Sequence, residues 1–453
     1  MMWKWRTVGA LGSFAGTCYL VSHRQILHAK SPLDDAFASP SPASIGRVKE
    51  RQNVPDLNQM ELRNVQVFFR HGARSPLRIL SFLDQPDWPK DKILGDPSFP
   101  AVSYKLLDVR GQPVPAGPYD QMYQKIIFKG GTPAGQLTKT GKEQVYDLGK
   151  EIRRKYVEER KLISPTFKSH EVYIRSTNMM RTIESARWLL SGMYGDNQAG
   201  DRITIFTEPA EREILYPNHS FCGQLKAVNK KLFKGIDEIP GLRENRIELQ
   251  KLLDYKEDAN NKKKLNYVDL RDEIIARQAH GIPVPETALA MMNEIELYAV
   301  KMLTFMVSGS HKKMRKDILR LACGPVLHLV HDNMDASVWN DDFYKLQLYA
   351  CHDSMLLALL VTLGIFTGKW PPFAADLVFE SYEDKAGRRW VRVLYLNEPV
   401  HLPGAEYGDV ISREKFTALI GPYAITVDSY RQECLAGGED GENGGDGGRS
   451  AGL

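Results

Sequence analysis

The sequence predicts an α/β fold: a mainly parallel sheet flanked by helices, with a helical cap domain over one edge. Three observations carry this expectation. Short apolar strands and amphipathic helices alternate in βαβαβ order between residues 64 and 207, an order that favours parallel pairing through crossover helices. Strand signals vanish between about 223 and 310, where the chain is helical and rich in charge. Sheet character returns at 345. The expected organisation is an α/β catalytic domain from 61–222 and 311–433, with 223–310 as the helical cap insertion.

Taken in order, NVQVFF (64–69) alternates polar and apolar residues and ends at Arg70-His71-Gly72. Thr138 or Thr140 caps a helix with Val145, Leu148, Ile152 and Tyr156 at helical spacing, finishing in Arg153, Arg154 and Lys155, which suit its C-terminal dipole. EVYIR (171–175) is a strand, a helix follows over 178–193, and ITIFT (203–207) is the next strand. In the helical region the strongest segment runs from Glu286 to Val307. HKKMRK (311–316) reads as a solvated helix face. KLQLYA (345–350) is a strand ending at Cys351-His352-Asp353, and a last one lies at 390–395.

The 453 residues are 43% hydrophobic and 26% charged with a net charge of +4. That is too apolar for a disordered chain and too weakly basic for a nucleic-acid binder. The charge is unevenly placed. Residues 1–33 carry four basic groups and no acid, as in a mitochondrial targeting leader or, alternatively, a secretory signal. Prolines mark a linker at 34–60, and the acidic Gly-rich stretch 434–453 cannot bury enough surface to order itself. Five cysteines with no C-x-x-C pair argue against a disulfide framework and for reduced thiols in a mitochondrial or cytosolic compartment. A monomer is expected, with peripheral membrane contact as a further expectation.

Two strand ends deliver concentrated polar chemistry, Arg70-His71-Gly72-Ala73-Arg74 and His352-Asp353, and a third brings Arg175-Ser176-Thr177. In a parallel sheet all three converge on one edge. Three guanidinium groups grip phosphate oxygens in forked geometry, so a phosphate substrate is favoured. Like charge around His71 lowers its pKa and leaves a ring nitrogen free as nucleophile. Arg70, Arg74, Arg175 and His352 would hold the phosphate. Asp353, its pKa raised by the neighbouring phosphate, would protonate the leaving group and then activate water. No metal or cofactor is needed for this scheme.

The full string FFRHGARSP (68–76) resembles the signature of the histidine acid phosphatases. GQLT-x-x-G-x-x-Q (135–144), RST-x-x-x-RT (175–182), HD at 352–353 and KWPPFA (369–374) follow in the family's order. The resemblance implies a phosphoglycerate mutase-like fold, His71 as nucleophile, Asp353 as proton donor, and Arg70, Arg74, Arg175 and His352 as phosphate-binding residues. It also implies a lysophospholipid phosphate monoester as substrate. A phytase or mutase of the same superfamily and a non-enzymatic lipid-phosphate binder stay open as alternatives. Asn178 and Ser354 depart from the commoner residues of the family.

Competing motifs are weaker. His328-x-x-His331-Asp332 lies on an amphipathic helix with no third ligand group in view, Gly135 to Glu143 lacks the P-loop's spacing and hydroxyl, and Asn218-His219-Ser220 is a sequon of the kind chance supplies.

Overall fold

The segment ELRNVQVFFR forms strand β1 (Glu61–Arg70), whose alternation sends its side chains to two different cores. Val65, Val67 and Phe69 face one hydrophobic cluster, and Phe68 faces the other. All four are fully buried, as a central strand covered on both faces requires. The computed structural model describes residues 56–195, 200–255, 264–309, 311–339, 343–405 and 408–436. The leader, the linker up to residue 55 and the tail beyond 436 lie outside these residues.

The further strands are β2 (Tyr104–Asp108), β3 (Val172–Ser176), β4 (Ile203–Thr207), β5 (Leu346–Cys351), β6 (Asp376–Glu383), β7 (Arg389–Tyr395), β8 (Glu398–Pro399) and β9 (Val410–Ser412). They form one sheet in the order β2-β4-β3-β5-β1-β6-β7-β8, with β9 beside β7. From β2 to β1 the pairing is parallel; from β1 through β6 to β8 it is antiparallel. The α/β class therefore stands, while the sheet is mixed rather than mainly parallel. The reversal after β6 follows from a tight hairpin: Asp384 Oδ1 accepts from the amides of Ala386 and Arg388, and Gly387 supplies a φ of 74°.

One face carries α1 (Lys139–Arg153) and α2 (Met180–Tyr194). Of the two candidate caps, Thr138 is the one used, its Oγ1 accepting from the Gly141 amide. The helix widens into a π-helical turn at Arg154–Glu159. There Lys155 Nζ and Tyr156 Oη reach the fully buried carboxylate of Glu380 at 2.9 and 2.7 Å.

The other face carries α3 (Gly223–Lys234), α4 (Leu242–Leu252), α5 (Tyr267–Ala279), α6 (Met292–Ser308), α7 (Lys312–Trp339), α8 (Asp353–Thr362) and α9 (Val427–Ala436). The helices of 223–310 and the sheet share a single apolar cluster, which joins Leu242, Leu270 and Ile295 to Phe68, Tyr349 and Leu356.

The cysteine expectation is overturned. Cys222, at the start of α3, is disulfide-bonded to Cys434 in α9, across 212 residues of sequence. Packing of α9 on α3 brings together two thiols that no local spacing could relate. Cys434 is buried inside a helix that runs to Ala436, so the start assigned to the tail also moves. Cys323 and Cys351 are free and buried. Asn218 is buried too, its amide donating to the carbonyls of Ala210 and Glu213, and cannot present itself to a glycan.

Cys434→Ser is expected to lower unfolding stability by about 2–5 kcal/mol. Urea titration measures this, and the wild type under reductant should converge on the mutant curve.

Candidate active site

Parallel pairing sets Arg70 opposite Cys351, so the next residues, His71 and His352, emerge side by side at the C-terminal ends of β1 and β5. Their ring centroids are 5.6 Å apart. β3 ends beside them, the Thr177 amide donating to the Ala350 carbonyl.

The loop after β1 is held against the start of α1 by contact that only glycine allows. A Cβ at Gly72 would lie 2.0 Å from the Gly141 carbonyl oxygen, and one at Gly141 would lie 2.0 Å from that of Ala73. Around this contact the Ala73 carbonyl accepts from the amide and hydroxyl of Thr138, and the Ala73 amide donates to Gln144 Oε1. The GQLT-x-x-G-x-x-Q motif is thus the bracket of the RHGAR loop.

His71 Nδ1 lies 2.8 Å from the Gly72 carbonyl oxygen. A carbonyl only accepts, so Nδ1 carries the proton and a neutral ring exposes the Nε2 lone pair. Neutrality is enforced: burial, then the charges of Arg181, Arg70 and Arg74, push the pKa well below that of ordinary histidine. His352 is held down in the same way, by burial and then Arg181, and its Nε2 sits 3.0 Å from Thr177 Oγ1.

Arg70 donates to the Pro371 carbonyl at 2.7 Å, pairs with Asp353 at 2.8 Å and stacks 4.3 Å over the Phe373 ring. Burial lowers its pKa to about 10, leaving it charged at neutral pH. Arg74 makes a two-pronged pair with Asp272 of α5, at 2.8 and 3.1 Å. The same carboxylate also accepts from the Leu77 amide, so α5 aims an arginine that belongs to the β1 loop.

Arg175 lies elsewhere. Its guanidinium is paired at 2.9 Å with Glu213, which is 1% exposed and also accepts from the amides of Ile214 and Leu215. The guanidinium that stands free beside the imidazoles is Arg181, at the start of α2. It is buried, Nε and Nη1 have no partner among the described residues, and its charge is the largest acting on both histidines. Tyr123 supports it, the ring centroid 5.4 Å away. Nε of Arg70 and of Arg74 are likewise buried without a partner among the described residues, as is that of Arg175. What sets Arg70, Arg74 and Arg181 apart is that all three act on both imidazoles, a setting that suits a tetrahedral oxyanion. The structure thus commits Arg175 to the Glu213 pair at the β3 end and brings Arg181, rather than Arg175, beside the two histidines. The RST-x-x-x-RT spacing was the available signal for Arg181, since its final arginine opens the helix beside the site.

Asp353 differs from its expected state. Burial alone would raise its pKa, but Arg70, the Trp370 Nε1 hydrogen bond and Arg74 outweigh burial and hold it at about 2. It is a carboxylate here. The KWPPFA segment supplies this setting: Trp370 to Asp353, Pro371 to Arg70, Phe373 over Arg70, and the Ala374 amide to the His71 carbonyl. The His328/His331 group stands apart, with Asp335 beside His331 engaged by Arg389 of β7 and by Arg413, which opens the helix after β9.

Arg181→Ala is expected to weaken inhibition by inorganic phosphate at least about tenfold, the loss of a charged hydrogen bond, with the unfolding midpoint near wild type. Arg175→Ala is expected to cost about 3–5 kcal/mol in urea unfolding, because Glu213 is left charged, buried and unpaired.

Known proteins resemble this chain. A family model described as histidine phosphatase superfamily (branch 2) matches residues 61–396. Lysophosphatidic acid phosphatase type 6 of Bos taurus is 35% identical over 95% of both chains, and that of Homo sapiens 34% over the same shares. Lysosomal acid phosphatase of Xenopus laevis is 26% identical over 84% of this chain and 80% of its own. Among solved structures, the apo form of Hafnia alvei phytase superposes with a TM-score of 0.55 at 14% identity, covering 84% of this chain and 99% of that one. The motif order, the paired histidines and these likenesses make the chain a member of branch 2 of the histidine phosphatase superfamily, a histidine acid phosphatase.

Proposed function

We propose that this phosphomonoesterase works through a phosphohistidine on Nε2 of His71 and that its substrate is a lysophospholipid, lysophosphatidic acid being converted to monoacylglycerol and phosphate. The observation that carries the mechanism is the His71 ring itself: Nδ1 tied to Gly72, Nε2 free, and the unpaired guanidinium of Arg181 beside it.

Nε2 attacks phosphorus while the P–O bond to the alcohol breaks. Arg70, Arg74 and Arg181 stabilise the equatorial oxygens, which is most of the work in phosphoryl transfer. The alkoxide takes a proton from Asp353. In the second step Asp353 removes a proton from water, the resulting hydroxide displaces His71 from phosphorus, and inorganic phosphate leaves. Because Asp353 is ionised before substrate arrives, the proton must enter with the substrate. A monoester monoanion carries it, and the phosphate's charge beside Asp353 favours its transfer to the carboxylate.

Support for the lipid comes from the named relatives and from the walls of the site. Tyr216 lies 5.9 Å from the His352 ring, Tyr119 packs on Tyr216, and Phe373 lies 6.0 Å from His71. Aromatic sides around a cationic floor suit an amphiphile. For the compartment, the Cys222–Cys434 bond favours an oxidising one: the secretory pathway, or within mitochondria a space outside the reducing matrix.

His71→Ala should lose at least about 10³-fold in turnover, and the wild type quenched in base should retain labelled phosphate that acid releases. Activity surviving in the mutant would end the phosphohistidine reading. With rising pH, kcat/KM should fall as the substrate's second ionisation is passed, about pH 6 for an alkyl phosphate. The limb should move to lower pH for an aryl phosphate of lower second pKa, and a limb fixed across substrates would refute proton delivery by the monoanion. A panel of lysophospholipids, inositol phosphates and phosphoproteins tests the substrate class, and preference for either of the latter two would displace the lipid.

A further inference from the structure

We propose that the outer face of α3, with the disulfide-linked end of α9 and the first turns of α7, is a docking surface for a bilayer containing anionic lipid.

The face is built at helical spacing. Leu225 and Leu232 of α3 are buried, whereas Lys226, Lys230, Phe233 and Lys234 are exposed. Their i, i+4, i+7, i+8 spacing gathers them on one side of the helix, away from the core. Phe233 is 61% exposed. Among the described residues none of the three lysines has an ion-pair or side-chain hydrogen-bond partner. Lys234 in the last turn is accounted for by the helix dipole. Nothing in the fold accounts for an aromatic ring standing in water between lysines.

Two neighbouring features extend the face. Phe221 and Leu435 flank the bonded cysteines, whose Cα atoms are 4.5 Å apart, and they are 45% and 76% exposed. Arg320 of α7 pairs with Glu433, next to Cys434, which sets the start of α7 beside this point. Lys316 and Lys313 lie one and two turns before Arg320 on the same helix and are exposed without a partner. The surface thus presents separate apolar side chains among flexible point charges. That suits a fluid array of phosphate headgroups over acyl chains, since lysine snorkels where arginine grips a fixed geometry.

Position adds a reason. Tyr216, against His352, is followed closely by Ser220, which is hydrogen-bonded to Tyr119, and by Phe221 of the docking face. Phe221 thus follows five residues after the tyrosine that packs on His352.

The test is flotation of the full chain with vesicles of phosphatidylcholine alone and with added phosphatidylserine, at low and physiological salt. Retention is expected on the anionic vesicles and should weaken with salt. The triple variant Lys226→Glu, Lys230→Glu, Lys234→Glu should lose on the order of 100-fold in partitioning, taking each lysine as about fivefold, and Phe233→Ala a few-fold. Hydrolysis of soluble p-nitrophenyl phosphate should be unchanged in both, which separates this surface from the catalytic reading and reports intact folding. Retention unaffected by these variants, equal retention on neutral vesicles, no retention on either, or tighter binding to duplex DNA would each overturn the proposal.

Discussion

Everything at the strand ends depends on keeping positive charge dry without neutralising it. Arg70, Arg74 and Arg181 are buried around two imidazoles, and burial of a cation is costly unless something answers it. Asp272 answers Arg74 from a helix on one face, Asp353 answers Arg70 from the start of the helix that follows β5, and Arg181 has an aromatic ring over it but no ion pair among the described residues. This incomplete compensation has two effects. It holds His71 and His352 neutral, and it leaves guanidinium N–H groups for an incoming oxyanion. The glycine contact between residues 72 and 141 serves the same end, bringing the β1 loop and the first turn of α1 closer than any side chain would permit.

Much of this was legible in the sequence, because strands that end in chemistry announce both. RHGAR and HD each follow an alternating apolar run, and parallel pairing did bring His71, His352, Arg70, Arg74 and Asp353 together. The setting of Arg175 is one that residue type cannot show: a guanidinium on a strand can face an acid from a distant loop, here Glu213. Arg181 stands in the RST-x-x-x-RT motif, but residue type alone does not tell which of its two arginines lies beside the histidines. The strand β6 was missed for a related reason. DLVFESYE contains three acids that look solvated, yet Glu380 is fully buried among Tyr156, Tyr382 and Lys155. The disulfide is of another kind, since connectivity over 212 residues is a property of helix packing and leaves no mark on cysteine spacing.

The protonation states link the site to its chemistry more closely than residue identity does. An acid held at about 2 is a poor proton donor by itself, so the same arginine that prepares the phosphate site also empties Asp353 of its proton. In the proposed mechanism, substrate binding relieves that constraint by giving Arg70 a second anion to hold. Asp353 would then become an acid only in company with the substrate, and a neutral alcohol or an amide entering the site would find a carboxylate and no donor.

The pairing of Arg74 with Asp272 has a consequence for how such a protein can diversify. Helical insertions are readily exchanged parts of a fold where their inner faces make few specific polar contacts. Here one carboxylate on α5 orients an arginine of the β1 loop and caps the Leu77 amide as well. A transplanted insertion that lacked an acid at that point would alter the electrostatics of the phosphate site before it altered the shape of the opening.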